Sequence, residues 1–163
     1  MKRQFAMVAG AIALACAAQS AVAGPTLDAV KKKGFVQCGL TDGVSGFSAT
    51  NSKGEWEGMD VDICRAVAAA VFGDASKFKG TPLSTQQRFT ALQSGEVDVL
   101  LRTVTLTQTR DTSLGLAAVA PSFYDGQGVL VRKSLNVKSA KELNEATICV
   151  QPGTTTELNL ADW

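Results

Sequence analysis

The chain has 163 residues, a formal net charge of +1 and no histidine. The near-neutral charge does not suggest a polyanionic partner such as nucleic acid. The absence of histidine excludes Ser-His-Asp and Cys-His catalysis and removes the commonest transition-metal ligand, so an enzyme would have to use carboxylates, lysine or cysteine. The cysteine spacings match no zinc pattern, and we expect neither a metal nor a cofactor.

Residues 1–23 have the layout of a secretory signal peptide. Two basic residues and an apolar stretch lead to "AVA", a small-residue cleavage site. The apolar stretch is too short to favour a membrane-spanning helix. A lipoprotein signal would use Cys16, but the leucine before it lies one position away from its usual place. We therefore expect cleavage after Ala23 and a periplasmic protein, with lipoprotein anchoring as the alternative.

The exported part opens with a helix, a strand and a second helix. The pattern predicts a helix over residues 26–34, followed by a strand over 35–40. Glycine, serine, aspartate and asparagine are dense over 41–58, which predicts a loop with a short hairpin at "NSKGE". Apolar residues at helical spacing, acidic residues in the first turn and a final glycine predict a helix over 60–73.

A second unit repeats this order. Ser84 and Gln87 have the spacing of a capping box, and a helix that ends at Gly95 and a strand over 97–101 follow. Helices that alternate with short apolar strands indicate an α/β fold with a mostly parallel sheet, which binds ligands beyond the carboxyl ends of its strands. The threonine-rich segment "TVTLTQTRDT" begins at that position.

Three more elements are predicted in the last part of the chain. Residues 123–133 indicate a strand with a turn at its front, and 139–146 a short exposed helix. Residues 147–163 repeat the order of strand, glycine, hydroxyl and helix, with Thr154 and Glu157 at capping-box spacing.

Export leaves three cysteines, Cys38, Cys64 and Cys149. An oxidising compartment permits a disulfide, and the odd number leaves one thiol without a partner. Cys38 is predicted on a strand and Cys64 on the inner side of the next helix. Both a bridge between these two and a pair of buried thiols fit this arrangement, since free cysteine is itself a core residue.

At "GMDVDICRAVAAAV", residues 58–71, the chain resembles the family 3 solute-binding proteins, the periplasmic receptors of polar amino-acid ABC transporters. The motifs "RFTALQSGEVDVL", "TRDTSLGL" and "CVQPGTTTELNLADW" are similar to the branch that binds general L-amino acids. The resemblance implies a periplasmic-binding-protein type II fold, in which two α/β lobes close on the ligand. It also implies a monomer that delivers free L-amino acids to an ABC permease in the inner membrane.

The resemblance divides the chain as well. Residues 24–123 correspond to the first part of lobe one, 124–131 to a crossing strand or hinge, and 132–163 to the start of lobe two. Family members are considerably longer, so this sequence resembles a receptor truncated by a frameshift, an early stop or a fragmentary gene record. Their usual aspartate for the α-ammonium lies in the missing part. We therefore expect weak or absent amino-acid binding by this chain.

By resemblance, Arg110 anchors the α-carboxylate of the ligand, for which a planar guanidinium that donates two parallel bonds is suited. Its alternative role is a surface arginine paired with Asp111. Thr105 and Thr107 match positions that hold the same carboxylate and the ammonium, and Thr107 also stands at an N-cap. Without the resemblance, such threonines would indicate an exposed sheet face. Arg102 is a candidate at the rim.

Gly153, Thr154 and Thr155 match the contact from lobe two, where glycine lets the backbone approach and a threonine at a helix start donates to the carboxylate. Alone, this motif indicates a helix cap. Phe47 matches an aromatic residue at the pocket mouth, but Val44 stands near the place of a tyrosine common in receptors for cationic amino acids. Loss of that ring is consistent with broad side-chain tolerance.

An enzyme is the rival hypothesis, because the same two-lobed fold carries dehydratases of the cyclohexadienyl dehydratase type. Such an enzyme needs a positioned acid or base in its cleft. Asp60 and Asp62 look like a carboxylate pair, but they occupy the first turn of a helix, where capping and dipole compensation explain them. We therefore predict a receptor without catalytic residues. A third hypothesis is a fragment without function, because its first sheet lacks the returning segment.

Overall fold

The computed structural model describes residues 24–163, and the expected signal peptide lies outside them. The chain divides into two units after Lys33. The described part of the first unit is helix α1 (Pro25–Lys33), which confirms the helix predicted at 26–34. Its proline at the start and lysines in the last turn suit the two ends of a helix dipole. No helix in this described range is long and apolar enough to cross a membrane.

The second unit alternates strands and helices along the chain. Its elements are β1 (Val36–Leu40), β2 (Ala49–Thr50), β3 (Trp56–Glu57), α2 (Met59–Phe72), β4 (Phe78–Pro82), α3 (Arg88–Gln93), β5 (Val99–Leu101), α4 (Gln108–Thr112) and α5 (Thr155–Ala161). The strands β4, β1 and β5 form a parallel sheet in that order, so β1 is central. This confirms the predicted α/β fold with parallel strands.

Both faces of β1 are covered. Cys38 and Leu40 are fully buried on the face toward α2, where Cys38 is joined to Cys64 by a disulfide with a Cα separation of 6.4 Å. Gly39 points to the opposite face, because side chains alternate along a strand. A Cβ at Gly39 would lie 2.7 Å from Leu83 Cδ1 and 2.9 Å from Leu100 Cδ1, so a larger residue would force these leucine side chains to move.

A second apolar cluster packs on the Gly39 face. Leu83, Ala91 and Val97 form its buried centre, and Leu92 and Leu100 pack against them. Because this cluster contains residues of both α3 and β5, it fixes α3 against the sheet.

The hydrogen bonds of the predicted capping box form, but they lie in the turn before α3, whose first residue is Arg88. The Ser84 hydroxyl donates to Gln87 Oε1 at 2.7 Å and accepts from the Gln87 amide at 3.3 Å. The predicted hairpin is also confirmed, as β2 and β3 pair antiparallel across a turn that Asn51 stabilises. Helix α2 ends as expected at Gly73, whose left-handed backbone has a φ of 69°.

Strand β4 is not predicted by the sequence. Lysine, glycine and proline disfavour strands, but an edge position tolerates them. Gly80 also has a packing role, because a Cβ there would lie 2.6 Å from the indole Nε1 of Trp56. The indole therefore covers the strand at the place where its side chain is missing.

Three predicted elements after β5 differ in the structure. The strands expected at 123–133 and 147–150 do not form, and the helix expected at 139–146 is reduced to the 3-10 turn Ala140–Glu142. Residues 124–131, expected as a crossing strand, have no regular structure. A strand needs a neighbour to take its backbone hydrogen bonds, and no described segment pairs with these residues. A short helix without tertiary packing is marginal.

We expect the Cys38–Cys64 disulfide to stabilise the chain substantially. The two cysteines are 26 residues apart, and closing a loop of that length in the unfolded chain corresponds to about 3 kcal/mol. The double variant Cys38→Ala/Cys64→Ala should therefore unfold at a clearly lower urea concentration than the parent. Cys149→Ala is the matched control, since Cys149 is an exposed free thiol. Equal midpoints for the double variant and the control would contradict this role.

Candidate ligand-binding cleft

A cleft of about 240 Å³ lies beyond the carboxyl ends of β1 and β5. Thr41 follows β1 directly, Arg102 and Thr103 follow β5 directly, and all three line the cleft. This is the edge at which parallel sheets bind ligands. The lining consists of six threonines, three arginines, one glutamine and one valine, so it offers mainly hydrogen-bond donors and positive charge.

Four of the predicted ligand residues meet in this cleft. They are Thr105, Arg110, Thr154 and Thr155. Thr105 and Thr155 come from opposite walls, and their hydroxyl oxygens are 3.1 Å apart, which is a hydrogen-bond distance. The structure thus brings together the two segments that sequence reasoning singled out. Their contact with a ligand stays a prediction.

The other three predicted residues do not line the cleft. Thr107 caps α4, where its hydroxyl accepts a hydrogen bond from the Arg110 amide at 3.3 Å. Gly153 offers its carbonyl to a guanidinium of α3 at 3.4 Å. Phe47 packs edge-to-face against Phe123, with ring centroids 5.1 Å apart. In this arrangement, each of the three orders a segment next to the cleft.

The Arg110 guanidinium is oriented by neighbouring groups. Its Nη1 donates to the Thr105 carbonyl at 2.7 Å, and its Cζ lies 5.0 Å from the ring centroid of Phe89. The ion pair with Asp111 that the sequence also permitted is absent. Partial burial lowers the pKa of Arg110, but an arginine remains charged at neutral pH. The arrangement leaves Nε and Nη2 without a hydrogen bond to the described residues.

Arg88 is a cleft residue that sequence reasoning missed. Its side chain is only 3% exposed, its Nη2 donates to the Gly153 carbonyl at 3.4 Å, and its Nε has no described partner. Burial, followed by the neighbouring positive charges of Arg110 and Arg102, lowers the pKa of Arg88 to about 10. One signal in the sequence could have found it. Three and four residues later stand Ala91 and a leucine, which place Arg88 on the apolar face of α3.

Arg102, expected only at the rim, forms part of the cleft wall. It is 8% exposed, its Nε donates to the Leu83 carbonyl at 2.5 Å, and its Nη2 donates to the Thr85 hydroxyl at 3.2 Å. Burial lowers the pKa of Arg102. The same guanidinium and Gln151 also line an adjoining pocket of about 250 Å³. The Arg102 side chain therefore lines both the cleft and the adjoining pocket.

The three guanidiniums make the cleft electropositive. In residues 24–163, the one ion pair found joins Arg65 to Asp62, away from the cleft. Arg88, Arg102 and Arg110 therefore have no carboxylate partner among the described residues. A buried charge without a counterion is unfavourable, and a bound anion would offset that cost through charge-assisted hydrogen bonds.

The two predicted first-turn aspartates of α2 have different surroundings. Asp60 is 3% exposed, its Oδ2 has no partner within the described chain, and burial raises the pKa of its carboxyl. Its amide donates to the Phe47 carbonyl at 2.9 Å, which fixes the preceding loop on the helix start. Asp62 is exposed and accepts a hydrogen bond from Arg65 at 2.7 Å. Neither aspartate lines the cleft.

The sequence of the chain matches a known protein family. Residues 36–157 match the family model described as bacterial extracellular solute-binding proteins, family 3. The chain is 56% identical to the general L-amino acid-binding periplasmic protein AapJ of Rhizobium johnstonii, over all of this chain and 48% of that protein. It is also 56% identical to the glutamate/glutamine/aspartate/asparagine-binding protein BztA of Rhodobacter capsulatus, over 94% of this chain and 46% of that protein.

A solved structure is similar in both sequence and fold. An ABC transporter/periplasmic binding protein from Brucella ovis with glutathione bound is 58% identical and superposes with a TM-score of 0.80. The superposition covers 86% of this chain and 44% of that one. The chain thus spans about half the length of the curated relatives it matches.

We expect Asp60 to make stability depend on pH. Its carboxyl has a raised pKa, so the native state holds this proton more tightly than the unfolded chain. Its stabilising contribution is complete below the unfolded value of about 3.9 and is lost as pH rises through the raised native value. The unfolding free energy of Asp60→Asn relative to the parent should therefore increase from about pH 4 to about pH 7.

Urea unfolding at several pH values measures this difference. Asp62→Asn is the matched control on the same helical turn, since the Asp62 side chain is 71% exposed. The same trend in both variants would assign the effect to the helix end rather than to burial of Asp60. A flat profile for Asp60→Asn would contradict the prediction.

Proposed function

The chain belongs to the bacterial extracellular solute-binding proteins, family 3, and we propose that it forms the cleft of a periplasmic receptor that captures free L-amino acids for an ABC transporter. The sequence of residues 1–23 supports export through a cleaved signal peptide. In this proposal the receptor is a monomer that presents its closed, loaded form to a permease in the inner membrane. The names of AapJ and BztA support an amino acid as the ligand.

The observation that carries this proposal is the set of donors around Arg110. One edge of its guanidinium is held by the Thr105 carbonyl, and Nε and Nη2 are available to a carboxylate. Thr105 and Thr155 add hydroxyls from both walls. A planar guanidinium with two free N–H groups suits the α-carboxylate, which every free amino acid carries. We propose that Thr107 acts indirectly, by capping the helix that bears Arg110.

Charge in the cleft favours acidic amino acids over cationic ones. Arg88 and Arg102 are buried beside the proposed α-carboxylate anchor, and the Arg88 Nε has no described partner. A second carboxylate on the ligand would be attracted by these guanidiniums, whereas a side-chain ammonium would be repelled. The sequence predicted broad tolerance of ligand side chains. The charge of the cleft changes this to a graded preference for acidic over cationic amino acids.

The origin of the cleft walls supports the domain division expected from the sequence. One wall comes from residues 41–110 and the other from residues 151–156. We propose that 24–123 belong to lobe one, 124–131 to the crossing and 132–163 to lobe two. Since the relatives are about twice as long, lobe two of such a receptor would contain further donors. We accordingly expect weak, saturable binding by this chain.

A non-enzymatic role fits the lining better than the dehydratase alternative. The cleft-lining residues in the described part of the chain include no carboxylate, lysine or cysteine. General acid-base chemistry needs such a group within hydrogen-bond reach of the substrate. At neutral pH, threonine hydroxyls and charged guanidiniums bind anions, but neither group titrates near that pH as a general acid or base would.

Short anionic peptides are a second ligand class. The adjoining pocket of about 250 Å³ shares Arg102 and Gln151 with the cleft, so a ligand longer than one amino acid could extend past this wall. The Brucella ovis relative has glutathione bound, which is a peptide with two carboxylates. This class uses the same Arg110 anchor and adds contacts to Arg102.

We expect Arg110→Ala to weaken binding of every amino acid. Truncating one partner of a desolvated charge pair should reduce affinity about 30-fold or more.

Arg88→Met should reduce affinity for L-glutamate more than for L-leucine, because only glutamate carries a second carboxylate. Arg132→Ala is the matched control, since Arg132 is exposed and does not line the cleft.

Calorimetric titration with L-glutamate, L-glutamine, L-leucine and L-arginine measures these effects. The parent should bind L-glutamate more tightly than L-arginine. Unchanged affinity in Arg110→Ala would remove Arg110 from the site. L-arginine binding as tight as that of L-glutamate would refute the charge preference, and no heat with any amino acid from a folded chain would refute ligand capture by this chain.

Glutathione separates the two ligand classes. If peptides occupy both pockets, the parent should bind glutathione at least as tightly as L-glutamate, and Arg102→Met should weaken glutathione binding more than glutamate binding. Competition of the two ligands in one titration checks that they share the anchor. Equal losses for both ligands in Arg102→Met would exclude the extended mode.

A further inference from the structure

Phe89, on the first turn of α3, lies against two guanidiniums at once. The Cζ of Arg88 is 4.7 Å from its ring centroid and the Cζ of Arg110 is 5.0 Å away. Both distances are within the limit of about 6 Å for an attractive cation–π contact. Arg88 is its neighbour in sequence, whereas Arg110 arrives from α4. One aromatic ring thus contacts positive charges from both helices.

The two guanidiniums are close enough to repel each other. Among the neighbouring charges that lower the pKa of Arg88, Arg110 has the larger effect, after burial itself. No described carboxylate lies between them to relieve this repulsion. The negative face of an aromatic ring attracts both cations, so the Phe89 ring offsets part of their repulsion.

Helix α4 has few other attachments to α3. It spans five residues, Gln108–Thr112, and none of them is buried. Beyond α4, the side chain of Gln93 donates to the Leu114 carbonyl at 2.9 Å. The Arg110 side chain therefore contacts α3 through the Phe89 ring.

The ring also lies outside the apolar core. The cluster on this side of the sheet consists of Leu83, Ala91 and Val97 with two further leucines, and Phe89 is not among them. Phe89 is only half-buried. Its position is explained better by the guanidiniums it contacts than by core packing.

We propose that Phe89 is a positioning residue that holds the guanidiniums of Arg88 and Arg110 together at the cleft, preset for the carboxylates of an anionic ligand. The ring itself does not line the cleft. It acts through the two arginines. Without the ring, their side chains would separate, and ordering them on ligand binding would cost conformational entropy. The ligand part of this inference rests on the proposed function, whereas the arrangement of the side chains does not.

Two substitutions at Phe89 distinguish the effect of the aromatic ring from the effect of side-chain volume. Phe89→Leu keeps an apolar side chain without a ring, and Phe89→Tyr keeps the ring. Leu92→Val is the control for a change in packing on the same helix, because Leu92 belongs to the apolar cluster. The chain has six arginines, which keeps their side-chain NMR signals few enough to assign.

The first measurement is the arginine side-chain NMR spectrum of the ligand-free chain. In the parent, the Arg88 and Arg110 side-chain protons should carry ring-current shifts and show NOEs to the Phe89 ring. Phe89→Leu should abolish these shifts, whereas Phe89→Tyr and Leu92→Val should retain them. Should Phe89→Leu fail to fold, the parent NOEs and the Phe89→Tyr spectrum decide the same point. Parent spectra without these NOEs, or unchanged arginine signals in folded Phe89→Leu, would overturn the proposal.

The second measurement is the affinity for L-glutamate. Phe89→Leu should bind about tenfold more weakly, and Phe89→Tyr should restore affinity to within about threefold of the parent. Equal affinities in all variants, despite altered arginine signals, would overturn the positioning role. If no variant binds L-glutamate while the NOEs are present, the proposed ligand class fails, and the arrangement of the guanidiniums on Phe89 stands.

Discussion

The pairing of β1 with a parallel strand on each edge is the constraint on which the rest of the second unit depends. Because β4, β1 and β5 run in the same direction, their carboxyl ends meet at one edge of the sheet. The disulfide and α2 cover one face of β1, and α3 covers the other. The segments that leave β1 and β5 can then go only to that shared edge, where they build the cleft.

The arginines of the cleft carry an energetic cost. Arg88, Arg102 and Arg110 are buried or half-buried without a counterion in the described chain, which is unfavourable. Backbone carbonyls, the Thr85 hydroxyl and the Phe89 ring compensate only part of that cost. Proteins commonly keep such local strain at functional sites, where a ligand completes the missing interactions.

The sequence predicts elements whose cause is local. Capping boxes, the terminal glycine of α2 and the hairpin depend on residues a few positions apart, and all of them form. Arg110 and Thr105 were identified only through family resemblance, since alternating threonines alone indicate a sheet face. Strand β4 depends on pairing with a distant strand, which periodicity does not reveal, whereas the burial of Arg88 could have been found from its helical spacing to Ala91. The strands expected at 123–133 and 147–150 fail for the same reason, because pairing is a tertiary property.

The hydroxyl bridge between Thr105 and Thr155 differs in kind from the other contacts across the cleft. Either oxygen can be the donor, so the bridge can reverse its polarity by two bond rotations while every heavy atom stays in place. A guanidinium or an amide cannot do this. The contact between the two walls can therefore offer a hydrogen-bond donor or a hydrogen-bond acceptor to a neighbouring molecule, and neither choice requires a heavy atom to move.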